Sequence, residues 1–380
     1  MKILHVTGYY IREMAYQENL LPKGQSELGH DVVVITGTHE PRFKFNGSDR
    51  INPVGEFLDA TVKILRLPIH FEIPSNRGPV LKNLYKAIKK ESPDILFIHD
   101  IGPSLFVGLY YKLVNPTVIL QFDCHSTEDN AANSIFGPLY HLFFGIVFKL
   151  SGHLLDNIFA VSPETVSFME KRYFIDRKNI ELLPLPGDAS LMNRFHLNRQ
   201  KMRQKYNFKN DEKILVHTGK LPEDKLTKEV LDACLYLDKL GFDFKLVIIG
   251  NIDQNFADNN TEILSSSWVE FLGWRSPAEI REVFIASDLL VQPGSLSNTF
   301  IDGICCGLPV LLDDTPQGRF LTKFNNGSVL KRKNIARLGE VLHSLLQHDN
   351  HKNLQINSIQ IAQNFHYLQI AKQTLKTYEK

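Results

Sequence analysis

Two lysines and one strand-loop-helix run carry the residue types most suited to chemistry in this chain. Lys220 and Lys225 lie in Val216-His217-Thr218-Gly219-Lys220-Leu221-Pro222-Glu223-Asp224-Lys225, where an apolar strand gives way to a loop. The run Gly294-Ser295-Leu296-Ser297-Asn298-Thr299-Phe300-Ile301-Asp302 to Gly307-Leu308-Pro309-Val310 follows another apolar strand, crosses a loop of small residues and enters a short helix. Gly307 and Pro309 stop that helix, and Ser297 or Asn298 can cap it by accepting an orphan backbone N–H. A small-residue loop feeding a helix N-terminus presents amide donors and the positive end of a dipole, which suits a phosphate. Two ammonium groups opposite it would bracket a diphosphate, strongly only where water is excluded. Asp302, about one turn inside, is placed to accept hydroxyl protons from a ribose. The plainer alternative is an ordinary strand-loop-helix of a parallel sheet, with both lysines solvated at its surface.

Further candidates also stand at strand ends. Gly273-Trp274-Arg275 follows the strand 269–272, where the Trp274 indole could stack on a nucleobase or pack between domains. His99 in Ile98-His99-Asp100 and His125 in Gln121-Phe122-Asp123-Cys124-His125-Ser126 compete as functional histidines, against a purely structural role for either.

Positioning these residues requires alternating strands and helices. Short buried strands are expected at 2–6, 32–36, 62–67, 95–99, 118–121 and 158–161, with helices at 12–28, 80–90, 105–113 and 163–173. Ser162 and Pro163 suit the cap and first turn of the last of these. Two prolines and a glycine in Leu182-Leu183-Pro184-Leu185-Pro186-Gly187-Asp188 fit a linker. The alternation then resumes, with strands at 213–216, 244–249, 269–272, 289–292 and 310–312 and helices at 227–240, 277–286 and 299–306. A final helical stretch, 360–378, has no strand after it and could cross back to the first domain. Two β/α series of similar size imply two doubly wound α/β domains facing one another, with ligands beyond the carboxyl ends of the strands.

Bulk properties narrow the function. A chain of 380 residues is expected to form two domains. A net charge of +1, from 43 basic and 42 acidic residues, argues against a nucleic-acid binder. Cys124, Cys234, Cys305 and Cys306 make no metal-ligand spacing and fit free thiols in a reducing compartment. No G-x-G-x-x-G, Walker loop, H-E-x-x-H or G-x-S-x-G occurs where it would count, which removes dehydrogenases, P-loop ATPases, zincins and serine hydrolases. The stretch 135–155 is rich in Phe, Leu and Ile but short of the roughly 20 apolar residues of a membrane span. It reads as a core helix or as a helix whose aromatic face touches a bilayer.

Taken together, Gly219-Lys220-x4-Lys225, Phe271-x-Gly273, and Asn298-x3-Asp302-x4-Gly307-x-Pro309-Val310 resemble the GT-B glycosyltransferases, above all family 4, whose members are retaining and use nucleotide sugars. The resemblance extends through Tyr16-Gln17-Glu18-Asn19-Leu20-Leu21 to Val32, Ala160-Val161-Ser162, the linker Leu183-Pro184 to Asp188, and Phe365-His366-Tyr367 before a terminal crossover helix. It implies a GT-B fold with an N-terminal acceptor domain over 1–185, a nucleotide-sugar domain over 186–358 and a crossover helix over 359–380. It implies that Lys220, Lys225 and His125 serve catalysis, and that Gly219, Trp274, Ser295, Ser297, Asn298, Thr299 and Asp302 bind the donor. Gly8, Tyr9, Tyr10 and His99 fall on the acceptor side. Where the family has two glutamates eight positions apart, this chain has Gly294 and Asp302.

The expected reaction is transfer of a hexosyl group from a UDP- or GDP-type sugar to a glycan or lipid-linked acceptor. Neither metal nor cofactor is expected, because lysines and helix amides meet the leaving-group charge. The resemblance further implies bacterial surface-polysaccharide assembly in the cytoplasm, with peripheral contact at the inner membrane face through 135–155. Two alternatives share the fold: a sugar-nucleotide epimerase, and a catalytically silent partner subunit.

Overall fold

The computed structural model describes residues 1–41, 50–74, 78–131, 137–219, 221, 225–295, 299–376 and 378. The chain divides into two compact units, Met1–Pro186 with Tyr367–Lys380, and Gly187–His366.

The first unit contains β1 (Lys2–Val6), α1 (Gln17–Glu27), β2 (Asp31–Gly37), β3 (Gly55–Asp59), β4 (Val62–Leu67), β5 (Ile69–Glu72), β6 (Pro79–Leu81) and α2 (Leu84–Glu91). It continues with β7 (Ile95–His99), α3 (Pro103–Val114), β8 (Ile119–Cys124), α4 (Glu128–Ala131), α5 (Gly137–Ser151), β9 (Asn157–Ala160), α6 (Pro163–Tyr173) and β10 (Glu181–Leu182). Its main sheet has the order β10-β9-β8-β7-β1-β2-β4-β3. All neighbours pair in parallel except β3, which lies antiparallel on the edge beside β4. Helices cover both faces, so Ile95 to Ile98 of β7 are fully buried and the strand reads as unbroken apolar sequence. Ser162 caps α6 by accepting the Thr165 N–H at 3.0 Å, with Pro163 opening the helix.

The second unit contains α7 (Phe195–Lys205), β11 (Lys213–Thr218), α8 (Thr227–Lys239), β12 (Phe244–Ile249), α9 (Gln254–Asn259), α10 (Thr261–Leu264), β13 (Val269–Gly273) and α11 (Pro277–Ala286). There follow β14 (Leu289–Gln292), α12 (Thr299–Cys305), β15 (Val310–Asp313), α13 (Pro316–Thr322), β16 (Gly327–Leu330), α14 (Leu338–Leu346) and α15 (His348–Ile361). Its sheet order is β13-β12-β11-β14-β15-β16, all parallel. That is third, second, first, fourth, fifth, sixth in chain order, the doubly wound arrangement of dinucleotide-binding domains. Strand order reverses between β11 and β14, the switch point beyond which ligands generally bind in such sheets.

The last helix, α16 (Tyr367–Leu375), belongs to the first unit. Ile370 and Ala371 pack in one core cluster with Leu21, Phe97, Phe159 and Leu183. Gly24 of α1 lets the two helices touch, since a Cβ there would lie 2.8 Å from the Tyr367 carbonyl oxygen.

Several elements depart from the sequence reading. The helix expected over 12–28 begins at Gln17, after Glu13 takes a left-handed φ of 61°. Residues 80–81, read as the start of a helix over 80–90, belong instead to the strand Pro79–Leu81 against β5, and Asn83 at φ 58° turns the chain into α2. The stretch 360–378 is not one helix, because α15 ends at Ile361 and a tight turn over Ala362–Phe365 precedes α16.

Candidate functional site

In the second unit, the ends of β11, β12, β13 and β14 build one loop cluster. Gly219 closes β11 with φ 122° and donates its N–H to the Ile249 carbonyl at 3.0 Å. Gly250 follows β12, and a Cβ on it would stand 1.8 Å from the Gly219 oxygen, so no other residue fits. Its own N–H donates to the Gly273 carbonyl at 2.9 Å.

Lys225 is buried in this cluster, and its Nζ donates to the Ser295 carbonyl. A cation from the loop after β11 is thus held against the loop after β14, on the two sides of the strand-order reversal. Thr218 at the end of β11 and Thr299 at the start of α12 share a hydroxyl contact of 2.8 Å. Gln292 donates from Nε2 to Thr218 O and Oγ1, at 2.9 and 2.7 Å, and to Thr299 Oγ1 at 3.3 Å. His217, fully buried, donates from Nδ1 to the Val291 carbonyl at 2.7 Å, leaving Nε2 to accept the Thr227 hydroxyl at 3.0 Å. Burial holds its imidazole down to about 4, so it is neutral and anchors the first turn of α8 just after Lys225. Sequence reasoning assigned no role to His217 or Gln292. Their signal was a polar side chain within or closing an otherwise apolar, wholly buried strand.

The other expected donor residues are placed differently. Asp302 is buried in α12, and its Oδ1 accepts the Asp188 N–H at 3.3 Å. Burial lifts its carboxyl to about 6 against the pull of Arg281, which pairs with Asp188 at 3.5 Å. Trp274 stands 55% exposed at the end of β13, removed from the core, so its ring is available for stacking. Lys220, Ser297 and Asn298 lie outside the described residues.

In the first unit the corresponding reversal falls between β1 and β7. His5 of β1, His99 closing β7 and Asp123 of β8 form a buried line there. His5 Nδ1 lies 2.9 Å from His99 Nε2, and His99 Nδ1 lies 2.8 Å from Asp123 Oδ2. Asp123 also accepts Gln17 Nε2 at 2.8 Å and the Asp100 N–H at 3.1 Å, while His125 Nε2 stands 3.5 Å from its Oδ1. Burial disfavours a charged Asp123, yet His99 and His125 hold it well below the usual carboxylate range. Burial likewise opposes a charged His125, but Asp123, Asp100 and Glu18 outweigh it and lift the imidazole to about 9. Burial and then His99 depress His5 to about 3. Asp100 holds a left-handed φ of 58°, an uncommon backbone for a non-glycine residue and frequent at functional sites. The His125 side chain is 33% exposed and that of His99 only 5%, so His125 is the member that can reach a ligand and His99 lies beneath it.

His99, Asp123 and His125 are residue types that bind cations, and their donor atoms lie within 4.8 Å of one another. Gln17 Nε2 and the Asp100 N–H donate to Asp123, and ring nitrogens of His99 and His125 lie 2.8 and 3.5 Å from its two oxygens.

Of the acceptor-side expectations, Gly8 and Tyr9 are half-buried, and the Tyr9 hydroxyl donates to Glu72 at 2.8 Å. Tyr10 is a core residue, packed with Ile3, Val32 and Val34, and its hydroxyl donates to Asp59 at 2.7 Å. A phenol so enclosed is not presented to an acceptor, which corrects its placement among the acceptor-side residues.

Elsewhere on this unit, α3 and α5 leave a continuous apolar face. Phe106 and Tyr110 of α3 and Leu139, Leu142, Phe143 and Ile146 of α5 are all exposed, and the Phe106 and Phe143 rings lie 5.9 Å apart. Among the described residues no helix is long and apolar enough to cross a membrane.

The chain is similar to known proteins over nearly its whole length. Residues 21–190 match Glycosyltransferase Family 4, and residues 198–361 match Glycosyl transferases group 1. No curated protein sequence matches the chain. Among solved structures, a glycosyltransferase from Rickettsia africae is 17% identical with a TM-score of 0.70, covering 100% of this chain and 97% of its own. Anabaena Alr3699/HepE, solved with UDP and glucose, is 15% identical with a TM-score of 0.68 and 99% coverage of both chains. WaaG, a glycosyltransferase involved in lipopolysaccharide biosynthesis, is 16% identical with a TM-score of 0.66 and the same coverage.

Proposed function

The chain is a GT-B glycosyltransferase of the family 4 kind, and from that premise we propose that it moves a hexosyl group from a nucleoside diphosphate sugar to a glycan or lipid-linked acceptor. The observation that carries this reading is the buried Lys225 ammonium held at the Ser295 loop, beside Thr218 and Thr299. Cleavage of the donor's anomeric bond leaves negative charge on the diphosphate. A fixed, desolvated lysine and loop amides stabilise that charge as it forms. Lys220, Ser297 and Asn298 complete the diphosphate site, Trp274 flanks the base and Asp302 meets the ribose, each by family resemblance. A UDP-type donor is favoured over GDP because the Anabaena relative was solved with UDP and with UDP-glucose.

On the acceptor side, His125 is the reacting-centre residue of the first unit, with Gly8 and Tyr9 nearby in the sequence role the family suggests. Retention of anomeric configuration follows from the same resemblance, and independence from a divalent ion from the lysines and loop amides that meet the leaving-group charge. The exposed face of α3 and α5 docks on a bilayer surface, which would bring a lipid-linked acceptor to the enzyme. Neither helix contains an acidic residue among those described, so an anionic lipid surface meets no repulsion from them.

A thermal-shift panel of UDP-, GDP- and ADP-sugars tests the donor assignment, because a ligand that binds the native state raises its melting point. Stabilisation by UDP-sugars is expected, followed by product formation when acceptors are added. No response to any nucleotide sugar overturns the reading. Interconversion of the donor sugar without an acceptor would establish the epimerase instead.

A further inference from the structure

We propose that the Tyr9 ring is the platform on which the acceptor's sugar lies, and that Glu72 and Arg50 are the residues that position it. Both assignments rest on the transferase reading, whose donor half is tested apart from them.

The place of Tyr9 follows from two glycines. A Cβ on Gly8 would stand 2.8 Å from Pro79 Cδ, and one on Gly37 would stand 3.0 Å from Ile69 Cγ2 and 3.2 Å from Leu81 Cδ2. The β5–β6 hairpin is therefore pressed against the carboxyl ends of β1 and β2, with only hydrogen at both contacts. That approach brings Glu72, the last residue of β5, to the Tyr9 hydroxyl, which donates to its Oε1 at 2.8 Å.

Behind Glu72 stands Arg50. Its Nη1 donates to Glu72 Oε2 at 2.7 Å and its Nη2 to Oε1 at 2.5 Å. The guanidinium is fixed in turn by the Glu40 carbonyl, which accepts Nε at 2.8 Å and Nη2 at 2.6 Å. The backbone around it is tied too, since the Glu40 N–H donates to the Arg50 carbonyl at 2.8 Å and the Asn52 N–H to that of Thr38 at 2.7 Å. Tyr9 is thus oriented by a chain of bonds that ends on backbone.

Two physical points separate this device from a plain staple. The side chains of Arg50 and Glu72 are only 8% and 11% exposed. Removing both charges from water offsets most of their attraction, and apolar residues would hold a hairpin down at least as well. What a bidentate pair adds is fixed geometry. The Tyr9 phenol has its proton committed, and burial, then Glu72, hold its ionisation well above the ordinary range. It does no acid-base work, so the half-buried ring is what remains for a ligand.

The ring also stands at the ligand edge. Tyr9 follows β1, one of the two strands at which strand order reverses, and β7 lies between β1 and β8, whose end carries His125. Two strand spacings are about 10 Å, so a sugar lying on Tyr9 points its far hydroxyls toward the imidazole. The C–H face of a pyranose is apolar and its rim is hydroxyl, a pattern that suits an aromatic ring beside polar groups. The acceptor class is accordingly a glycan whose accepting residue presents an unhindered C–H face.

The test is saturation-transfer NMR of the full chain with the methyl glycosides of glucose, galactose, mannose and N-acetylglucosamine, run with and without UDP, with a melting point for every variant. Wild type should saturate at least one glycoside, most strongly on the C–H protons of one face. Tyr9→Leu, which removes the ring, should weaken binding about tenfold or more. Tyr9→Phe and Glu72→Leu keep the ring but free it, and each should weaken binding about threefold. Because both break the same bond, the double variant should be no weaker than either alone. Glu72→Gln still accepts the phenol and should match wild type. The UDP melting shift should be the same in all. If Glu72→Leu fails to fold, Tyr9→Phe, which leaves the Arg50–Glu72 pair whole, carries the comparison. No glycoside held by wild type, a Tyr9→Leu variant that binds like wild type, or a Tyr9→Phe variant as weak as Tyr9→Leu overturns the platform. Losses in Glu72→Leu and Tyr9→Phe that add fully overturn the positioning role. A chain that ignores UDP yet loses its glycoside on Tyr9→Leu fails the donor assignment and leaves this one standing.

Discussion

Replacing Lys225 with methionine should weaken UDP binding by about 30- to 1,000-fold while leaving the chain folded. The ammonium is nearly buried and bonded to the Ser295 carbonyl, so its charge acts through little water. One lysine at about 4 Å from one phosphate charge is worth about 4 kcal/mol at an effective dielectric near 20. Hydrogen bonds to charged groups contribute about 1.5–3 kcal/mol by mutation, and their central value, about 2 kcal/mol, sets the lower figure. With each 1.4 kcal/mol worth tenfold, the two limits give the stated range. Methionine keeps most of the stem and its packing, so the folding cost is about 1 kcal/mol for the donor lost to Ser295. Calorimetric titration with UDP, paired with thermal melting of each protein, separates the two effects. A folded Lys225→Met variant that binds UDP within threefold of wild type would refute the placement of the diphosphate at this loop.

Gly250→Ala should lower stability by about 3 kcal/mol or more and loosen nucleotide binding with it, because its Cβ would strike the Gly219 oxygen at 1.8 Å; an unchanged melting point contradicts this. Asp123→Asn should lower the His125 titration from about 9, since burial then loses its strongest opponent and only Asp100 and Glu18 still favour the charged ring; NMR titration of the ring reads the shift, and an unmoved titration contradicts it. His125 itself stabilises the fold below pH 6.5, and that contribution fades as pH rises through about 9, so wild-type melting should decline over that interval more than in Asp123→Asn. His5 and His217 act with the opposite sign, being buried neutral: each should cost about 1.4 kcal/mol per pH unit as pH falls from 6.5 toward about 3 and about 4 respectively, and His217→Gln should flatten the acid limb of the melting curve. Leu142→Glu with Phe143→Glu should abolish sedimentation with anionic phospholipid vesicles without lowering the melting point, and retained sedimentation would remove the bilayer from the proposal.

Strands such as β1, β7, β11 and β12 were legible because helices bury both faces of a parallel sheet, leaving wholly apolar runs. The polar residue that ends such a run then marks the ligand edge, which is how His99, His125 and the Lys225 loop could be singled out. What lies across the edge was not legible, because sheet order is absent from linear sequence. His5 and His99 are 94 residues apart and Tyr9 and Glu72 are 63 apart, so their hydrogen bonds leave no local trace. Helix α7 was missed for a different reason. It has almost no apolar stripe and is held instead by Arg199 and Arg203, which donate to the buried Asp288 at 2.8 and 3.2 Å. The start of α2 was misread because Pro79-Val80-Leu81 is equally good as an apolar helical turn or a short strand. Pairing with β5, a tertiary contact, decides it.

Because the first unit is sewn from two separate stretches of chain, synthesis and folding must run out of step. A ribosome delivers all of Gly187–His366 before it delivers α16, so the later-encoded body can close first. Until then Leu21, Phe97 and Phe159 lack the Ile370 and Ala371 side chains that share their cluster. A nascent polypeptide halted at His366 would carry one finished globule and one with an unsealed seam, a natural substrate for chaperones and proteases.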